Sequence, residues 1–172
     1  MSGTILVRHE RCVGCKRCRL ACIVEHSESR TLVGAIHERH APMARITVAP
    51  RGRRILPAAC RHCDAAACLI ACPTGAISRR GPREPVVLDS ARCVGCRNCM
   101  LACPYGVPRL TVDGAEVVKC DLCIERLGRG AVPACVEACP TGTLRWHDDG
   151  ENEPMFAKNS LWEAGVCEGS EN

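Results

Sequence analysis

Apolar residues in this chain come in short bursts rather than in long stripes. ILVR at 5–8, RITVAP at 45–50, RRIL at 53–56, GAIS at 75–78, VVLD at 86–89, RLTV at 109–112 and AEVV at 115–118 are all of strand length. Turn-forming residues separate them: Pro50-Arg51-Gly52, a Gly-Pro-rich connection before VVLD, and Asp113-Gly114, a strong hairpin signal. No burst approaches the roughly 20 apolar residues that span a bilayer. The pattern predicts an α+β chain of short β-hairpins and short helices.

The helices are predicted by cysteine spacing. Sixteen Cys fall into four groups: Cys12, Cys15, Cys18 and Cys22; Cys60, Cys63, Cys68 and Cys72; Cys93, Cys96, Cys99 and Cys103; Cys120, Cys123, Cys135 and Cys139. C-x2-C-x2-C is a tight loop, and the following x3 gap is one helical turn, so the fourth Cys emerges on a short helix. Pro73, Pro104 and Pro140 follow the fourth Cys of three groups and end those helices. The groups also repeat internally. Group one matches group three across RCVGC and LAC, and group two matches group four across CPTG.

Composition limits what such a chain can be. With two Trp, one Tyr and one Phe among 172 residues, aromatic rings do not build the core, and seventeen Cys take their place. That density reads as a disulfide scaffold or as a metal protein, and the compartment decides between them. MSGTILVRHERC shows neither a signal-peptide apolar run nor a twin-arginine pair before the first Cys. A cytoplasmic protein with metal-binding thiols is therefore expected, although export on a partner's signal is compatible with it. The formal charge of +4 counts every Cys as neutral. Four thiolate-bound cubane clusters would bring roughly eight negative charges, for a holoprotein near −4. The 20 Arg then read as compensation and tuning rather than as a nucleic-acid surface. The runs Arg51 to Arg54 and Arg79 to Arg83 read as solvated loops first, and as steering sites for an acidic partner second.

Two metals compete. Structural zinc uses two C-x2-C pairs across a longer loop, which group four alone could imitate. C-x2-C-x2-C-x3-C-P is the bacterial ferredoxin signature for [4Fe–4S] ligation, and group three meets it in full. In that signature the fourth Cys ligates the other cluster of a pair. Groups two and three are near neighbours and form one pair, which leaves groups one and four to pair across the chain. The expected sets are Cys12, Cys15, Cys18 with Cys139; Cys120, Cys123, Cys135 with Cys22; Cys60, Cys63, Cys68 with Cys103; and Cys93, Cys96, Cys99 with Cys72. This crossing ties the N-terminal strand to the CPTGTLRW segment. It gives an inner unit of about 57–110 inserted in an outer unit of 1–26 and 111–147, one domain over 1–147.

Complete four-Cys sets leave no open iron for substrate, so outer-sphere electron transfer is expected and no catalytic residue is assigned. A radical-type C-x3-C-x2-C loop fails because Glu25 stands where its third Cys would be. His62, between two ligands, is read as a surface or supporting residue rather than a ligand. His26, just before SESRTLVGAIHERHAP, and His37 and His40 within it belong to a stretch read as a surface excursion or docking loop, and a metal site made from them is disfavoured. Trp146 is read as packing before partner contact. Cys167 is read as a free thiol, and residues 148–172 as a tail whose LWEAGV piece could dock on a partner.

CVGCKRCRLAC, CRHCDAAACLIACPTGAI, CVGCRNCMLACPYG and KCDLC…ACVEACPTG together resemble four-cluster, ferredoxin-like electron-transfer subunits. These include subunits associated with formate dehydrogenase, formate hydrogenlyase, carbon monoxide dehydrogenase and tungsten aldehyde oxidoreductases. The resemblance covers roughly residues 4–147 and all sixteen grouped Cys, and it implies the same pairing of groups. It implies four [4Fe–4S] clusters relaying single electrons between a catalytic subunit, a molybdenum- or tungsten-pterin enzyme by preference, and a second carrier, flavoprotein or hydrogenase. Self-association is compatible with it, and nucleic acid and a membrane span are not expected. A freely diffusing polyferredoxin, a partner of carbon monoxide dehydrogenase or hydrogenase, and a zinc interaction module are the alternatives. The crossed pairing makes one sharp prediction. Cys139→Ala destabilises the cluster built by Cys12, Cys15 and Cys18; spectroscopic loss of the group-four cluster alone contradicts the crossing.

Overall fold

The computed structural model describes residues 3–82 and 84–148. Cys167 and the tail from 149 onward, with its LWEAGV piece, lie outside the described residues. In chain order the elements are β1 (Gly3–Val7), α1 (Arg17–Glu25), α2 (Leu32–His37), β2 (Thr47–Arg51), β3 (Arg54–Ala58), α3 (Ala67–Ile70), β4 (Ile77–Ser78) and β5 (Val87–Leu88). Then come α4 (Asn98–Ala102), β6 (Arg109–Leu110), β7 (Val117–Val118), α5 (Ile124–Gly128), α6 (Ala134–Glu137) and β8 (Leu144–Asp148). The class is α+β. No helix of the described residues is long and apolar enough to cross a membrane.

The strands form four two-stranded antiparallel ladders: β1 with β8, β2 with β3, β4 with β5, and β6 with β7. The first joins the two ends of the described chain, with Ile5 opposite Trp146 and Val7 opposite Leu144. The other three are local hairpins. In β2–β3 the turn sits one position later than Pro50-Arg51-Gly52. Arg51 pairs with Arg54, and Gly52, at φ 58°, opens a two-residue loop. Pro50 and Pro57 therefore lie inside strands, which a two-stranded ribbon tolerates because each strand is an edge. The hairpin around Asp113-Gly114 is shorter than expected. Thr111 Oγ1 donates to Asp113 Oδ1 at 2.6 Å and accepts from the Glu116 N–H at 3.0 Å, so side chains close the loop in place of a longer ladder.

The helices obey the proline rule. α4 and α6 end at or before the fourth Cys of their groups, where Pro104 and Pro140 follow. Group one has Ile23 instead of proline, and α1 runs three residues past Cys22 to Glu25. The excursion after group one is not a bare loop. Leu32–His37 is helical, and Thr31 Oγ1 accepts the Gly34 N–H at 3.1 Å as its N-cap. A second unexpected helix, α5, fills the wide gap of group four.

α1 packs on α6 and α3 packs on α4, so the group-one helix meets that of group four and the group-two helix meets that of group three. Two apolar clusters result. One gathers Ile5, Ile46, Val48, Leu122, Leu127 and Leu144 with Cys18, Cys22 and Cys135. The other gathers Ala66, Ile77, Val86 and Val117 with Cys99. Cysteine sulfur thus supplies core volume that aromatic rings supply elsewhere. Trp146 packs against the first cluster, and its ring lies over Gly3: a Cβ there would stand 2.3 Å from Trp146 Cζ2 and 2.6 Å from the His147 carbonyl. Gly3→Ala is accordingly expected to destabilise the β1–β8 closure by about 1–3 kcal/mol, read as a lowered thermal midpoint.

Candidate metal centres

Backbone strain concentrates in the cysteine loops. Among the described residues, six non-glycine residues have positive φ, and five of them (Lys16, His62, Arg97, Leu122 and Cys123) lie within the cysteine groups. Gly14 and Gly95, at φ 69° and 66°, hold equivalent places in the two C-V-G-C copies. Each left-handed non-glycine residue costs about 1–3 kcal/mol. The alternation of hands turns successive N–H groups toward one point, a concavity suited to anions. The His62 N–H reaches Cys60 Sγ at 3.5 Å, and the Arg45 N–H reaches Cys22 Sγ at 3.2 Å.

Three cavities each gather four cysteines from two groups. Cys12, Cys15 and Cys18 share one with Cys139. Cys60, Cys63 and Cys68 share another with Cys103. Cys93, Cys96 and Cys99 share a third with Cys72. The last four are neighbours by charge: Cys22 acts electrostatically on Cys120, Cys123 and Cys135. The sets also lie within electrostatic reach of one another in series, for Cys18 acts on Cys135, Cys60 on Cys120, and Cys68 on Cys99. Cys15 and Cys96 are exposed, whereas Cys22, Cys123 and Cys135 are buried.

The thiols are in two electrostatic conditions. Burial pushes Cys18 up to about 11 and Cys123 up to about 12. Burial and then the neighbouring sulfurs push Cys120 and Cys135 higher still. Cys72 and Cys139 go the other way. Burial would raise them, but main-chain N–H groups outweigh it: those of Ile77, Thr74 and Ala76 for Cys72, and of Leu144, Thr141 and Thr143 for Cys139. The Thr74 and Thr141 hydroxyls stand 3.7 Å from these sulfurs, which explains the repeated C-P-T-G. Buried thiols crowded in fours stay protonated unless a cation replaces the protons, and iron coordination does this. Four sulfurs at one cavity, with inward N–H groups, fit a cubane.

Histidines do not converge. His37 Nδ1 donates to the Val33 carbonyl within its own helix, and His40 lies 3.9 Å from Asp113. His62 is neither a surface residue nor placed as a ligand: its Nδ1 accepts the Val86 N–H at 3.0 Å, and burial first, then Lys119, lowers it to about 3. His26 is the one with consequence. Its Nδ1 donates to the Cys22 carbonyl at 2.7 Å and its Nε2 to Asp121 at 3.1 Å, so the ring is held as imidazolium. Asp121 also accepts from Arg45 at 2.6 Å and from the Cys123 N–H at 2.9 Å. His26, Asp121 and Cys123 lie within 4.8 Å of one another, but Cys123 belongs to the four-sulfur set. Asp121 escapes sequence reasoning although an acid inside C-D-L-C is visible. Arg45 and Arg126 carry no local signal. Arg79 is no solvated loop residue, because its guanidinium holds the His62 and Cys63 carbonyls. Arg126 ties Glu25 to Glu137.

Comparison with known proteins follows the same sulfurs. The 4Fe-4S dicluster domain profile matches residues 53–149, and a 4Fe-4S binding domain profile matches residues 9–23. The electron transport protein HydN of Escherichia coli is 34% identical, over 92% of this chain and 95% of its own length. A tetrathionate reductase subunit of Salmonella typhimurium is 34% identical over 80% of this chain and 54% of its own. "Putative oxidoreductase UacF" of Escherichia coli is 38% identical over 87% of this chain, which spans only 22% of that relative's length.

The His26–Asp121 pair predicts a pH profile. Burial alone would lower His26, but the hydrogen bonds to Asp121 and Cys22 raise it from 6.5 to about 9. A raised histidine stabilises fully below its unfolded value and loses that contribution as pH climbs through its folded one. Stability on the order of 3 kcal/mol should therefore disappear between about pH 6.5 and 9 in thermal melts, and His26→Gln should flatten that slope.

Proposed function

The chain belongs to the 4Fe-4S dicluster domain family of electron-transfer proteins, and from that membership we propose that its crossed cysteine sets hold four [4Fe–4S] clusters through which it relays single electrons between a catalytic oxidoreductase subunit and a second redox protein. The single observation that carries the proposal is the gathering of cysteines from two groups around each of three cavities, with the fourth set joined by charge. The packing of α1 on α6 and α3 on α4 supports the same reading of an inner unit set within an outer one, in one domain over 1–147.

A bound cubane supplies a one-electron couple whose potential depends on charge, hydrogen bonding and exposure, over about −700 to +450 mV. The protein's own share is to hold, orient and insulate. Cysteine thiolates bind the metal; loop N–H groups and the Thr74 and Thr141 hydroxyls orient the sulfurs. The buried Cys22, Cys123 and Cys135 keep water from the inner positions. The order of electrostatic neighbours supports a series with the Cys12 and Cys93 sets at opposite ends and the Cys120 and Cys60 sets between them. Each end has one exposed cysteine in a C-V-G-C loop beside an exposed valine, Val13 or Val94, and these are the points where partners receive or deliver an electron.

The match to a reductase subunit and to part of a longer oxidoreductase supports a catalytic partner. A molybdenum- or tungsten-pterin enzyme in the cytoplasm is the preferred one. The near full-length match to a protein named for electron transport favours a freely diffusing polyferredoxin as the second reading. Anaerobic purification at native expression separates them. We expect about sixteen iron atoms per chain and co-purification with a metal-pterin subunit. Zinc in place of iron defeats the whole proposal, and iron-loaded protein without a bound enzyme defeats the subunit reading.

A further inference from the structure

Lys119 is 4% exposed and forms no ion pair with a carboxylate among the described residues. Its ammonium donates to two main-chain carbonyls, that of Val86 and, at 3.0 Å, that of Cys120. Asp121, two residues away, is committed to His26, Arg45 and the Cys123 N–H. Carrying a cation into the interior costs several kcal/mol, and two neutral carbonyls offset only part of that. Negative charge nearby supplies the remaining compensation: Asp121, already shared with His26 and Arg45, and Glu84 line a second cavity with Lys119, and cysteine sulfurs line the first.

Lys119 lines the cavity of Cys60, Cys63, Cys68 and Cys103. The cation is also fixed in place. Val86 is fully buried; its carbonyl is held by Lys119 and its N–H by His62 Nδ1, from the loop between Cys60 and Cys63. That arrangement leaves His62 Nε2 bearing the ring proton, buried and without an acceptor among the described residues. A fixed ammonium and an unpartnered N–H donor therefore stand together beside this cysteine set.

We propose that Lys119 is a positioning residue for electron transfer: the fixed positive charge that raises the reduction potential of the cluster held by Cys60, Cys63, Cys68 and Cys103 above those of its neighbours. The proposal rests on the four-cluster reading given above. Reduction adds one electron, and so one negative charge, to a site facing an ammonium, which stabilises the reduced form and leaves the electron resting there between partners. Redox equivalents come from the two partner proteins, so no further reactant is required.

The test is an EPR-monitored redox titration of the full, iron-loaded chain and of its Lys119→Met, Lys119→Gln and Lys119→Arg variants, with Cys103→Ser identifying the signal of this set. In Lys119→Met and Lys119→Gln that signal should fall about tenfold in its one-electron equilibrium constant, or 59 mV. Lys119→Arg should retain it, and the other three signals should stay. No shift, or an equal shift of all four, overturns the proposal. If the Met and Gln variants lose this cluster while Arg keeps it, the charge is confirmed as the site's counter-ion; loss in all three overturns the proposal by showing that shape alone is needed. A wild-type chain with fewer than four clusters defeats the four-cluster reading itself, whatever Lys119 does.

Discussion

Everything in this molecule depends on bringing four sulfurs from distant parts of one chain to a common point. Thiols so crowded repel as thiolates and resist ionisation when buried, as Cys18 and Cys123 show. The fold answers with geometry. It spends backbone strain on Lys16, His62, Arg97, Leu122 and Cys123, turning N–H groups inward where main-chain dipoles offset negative charge. It closes the two ends of its described residues through β1 and β8, which brings Cys139 to the cavity of Cys12, Cys15 and Cys18.

Charge follows the same logic one layer out. The cationic side chains read from composition as compensation are used in specific ways. Arg45 grips Asp121 beside the Cys22 sulfur, and Arg79 clamps the carbonyls of the Cys60–Cys63 loop. Arg126 joins Glu25, at the end of α1, to Glu137, at the end of α6, and so braces the helices that carry groups one and four. Tyr105 stacks under Arg61 at 4.6 Å beside Cys60, the one tyrosine spent next to a cysteine set rather than in the core. Aliphatic side chains and sulfur, with Trp146 against the first cluster, fill the rest.

How much of this is legible in the sequence follows from sequence distance. The cysteine loops, their short helices and the hairpins are local, so spacing, proline and turn residues announce them. Even the longer α1 has a local cause, because Ile23 stands where other groups have proline. Local reasoning fails where two distant segments decide the outcome. Asp121 matters through His26 and Arg45, and Lys119 through Val86, partners 33 or more residues away. α2 is hidden within an expected loop because its six residues are too few for a periodic stripe, and three of its aliphatic side chains, Leu32, Val33 and Ile36, face solvent. The hairpin around Asp113 loses ladder length to hydrogen bonds from Thr111, a competition that propensity does not weigh.

The β1–β8 ladder has a bearing on biosynthesis. A chain leaving the ribosome presents Cys60 to Cys103 well before Cys120 to Cys139, so the two cavities of the central segment have all their sulfurs while the C-terminal third is still being made. The cavity of Cys12, Cys15 and Cys18 has to wait for Cys139, and β1 has no strand to lie against until Leu144–Asp148 emerges. The first cysteines translated are thus the last to find the sulfur that completes their cavity. Closure of the β1–β8 ladder is the last strand pairing that the topology of the described residues allows as the chain emerges.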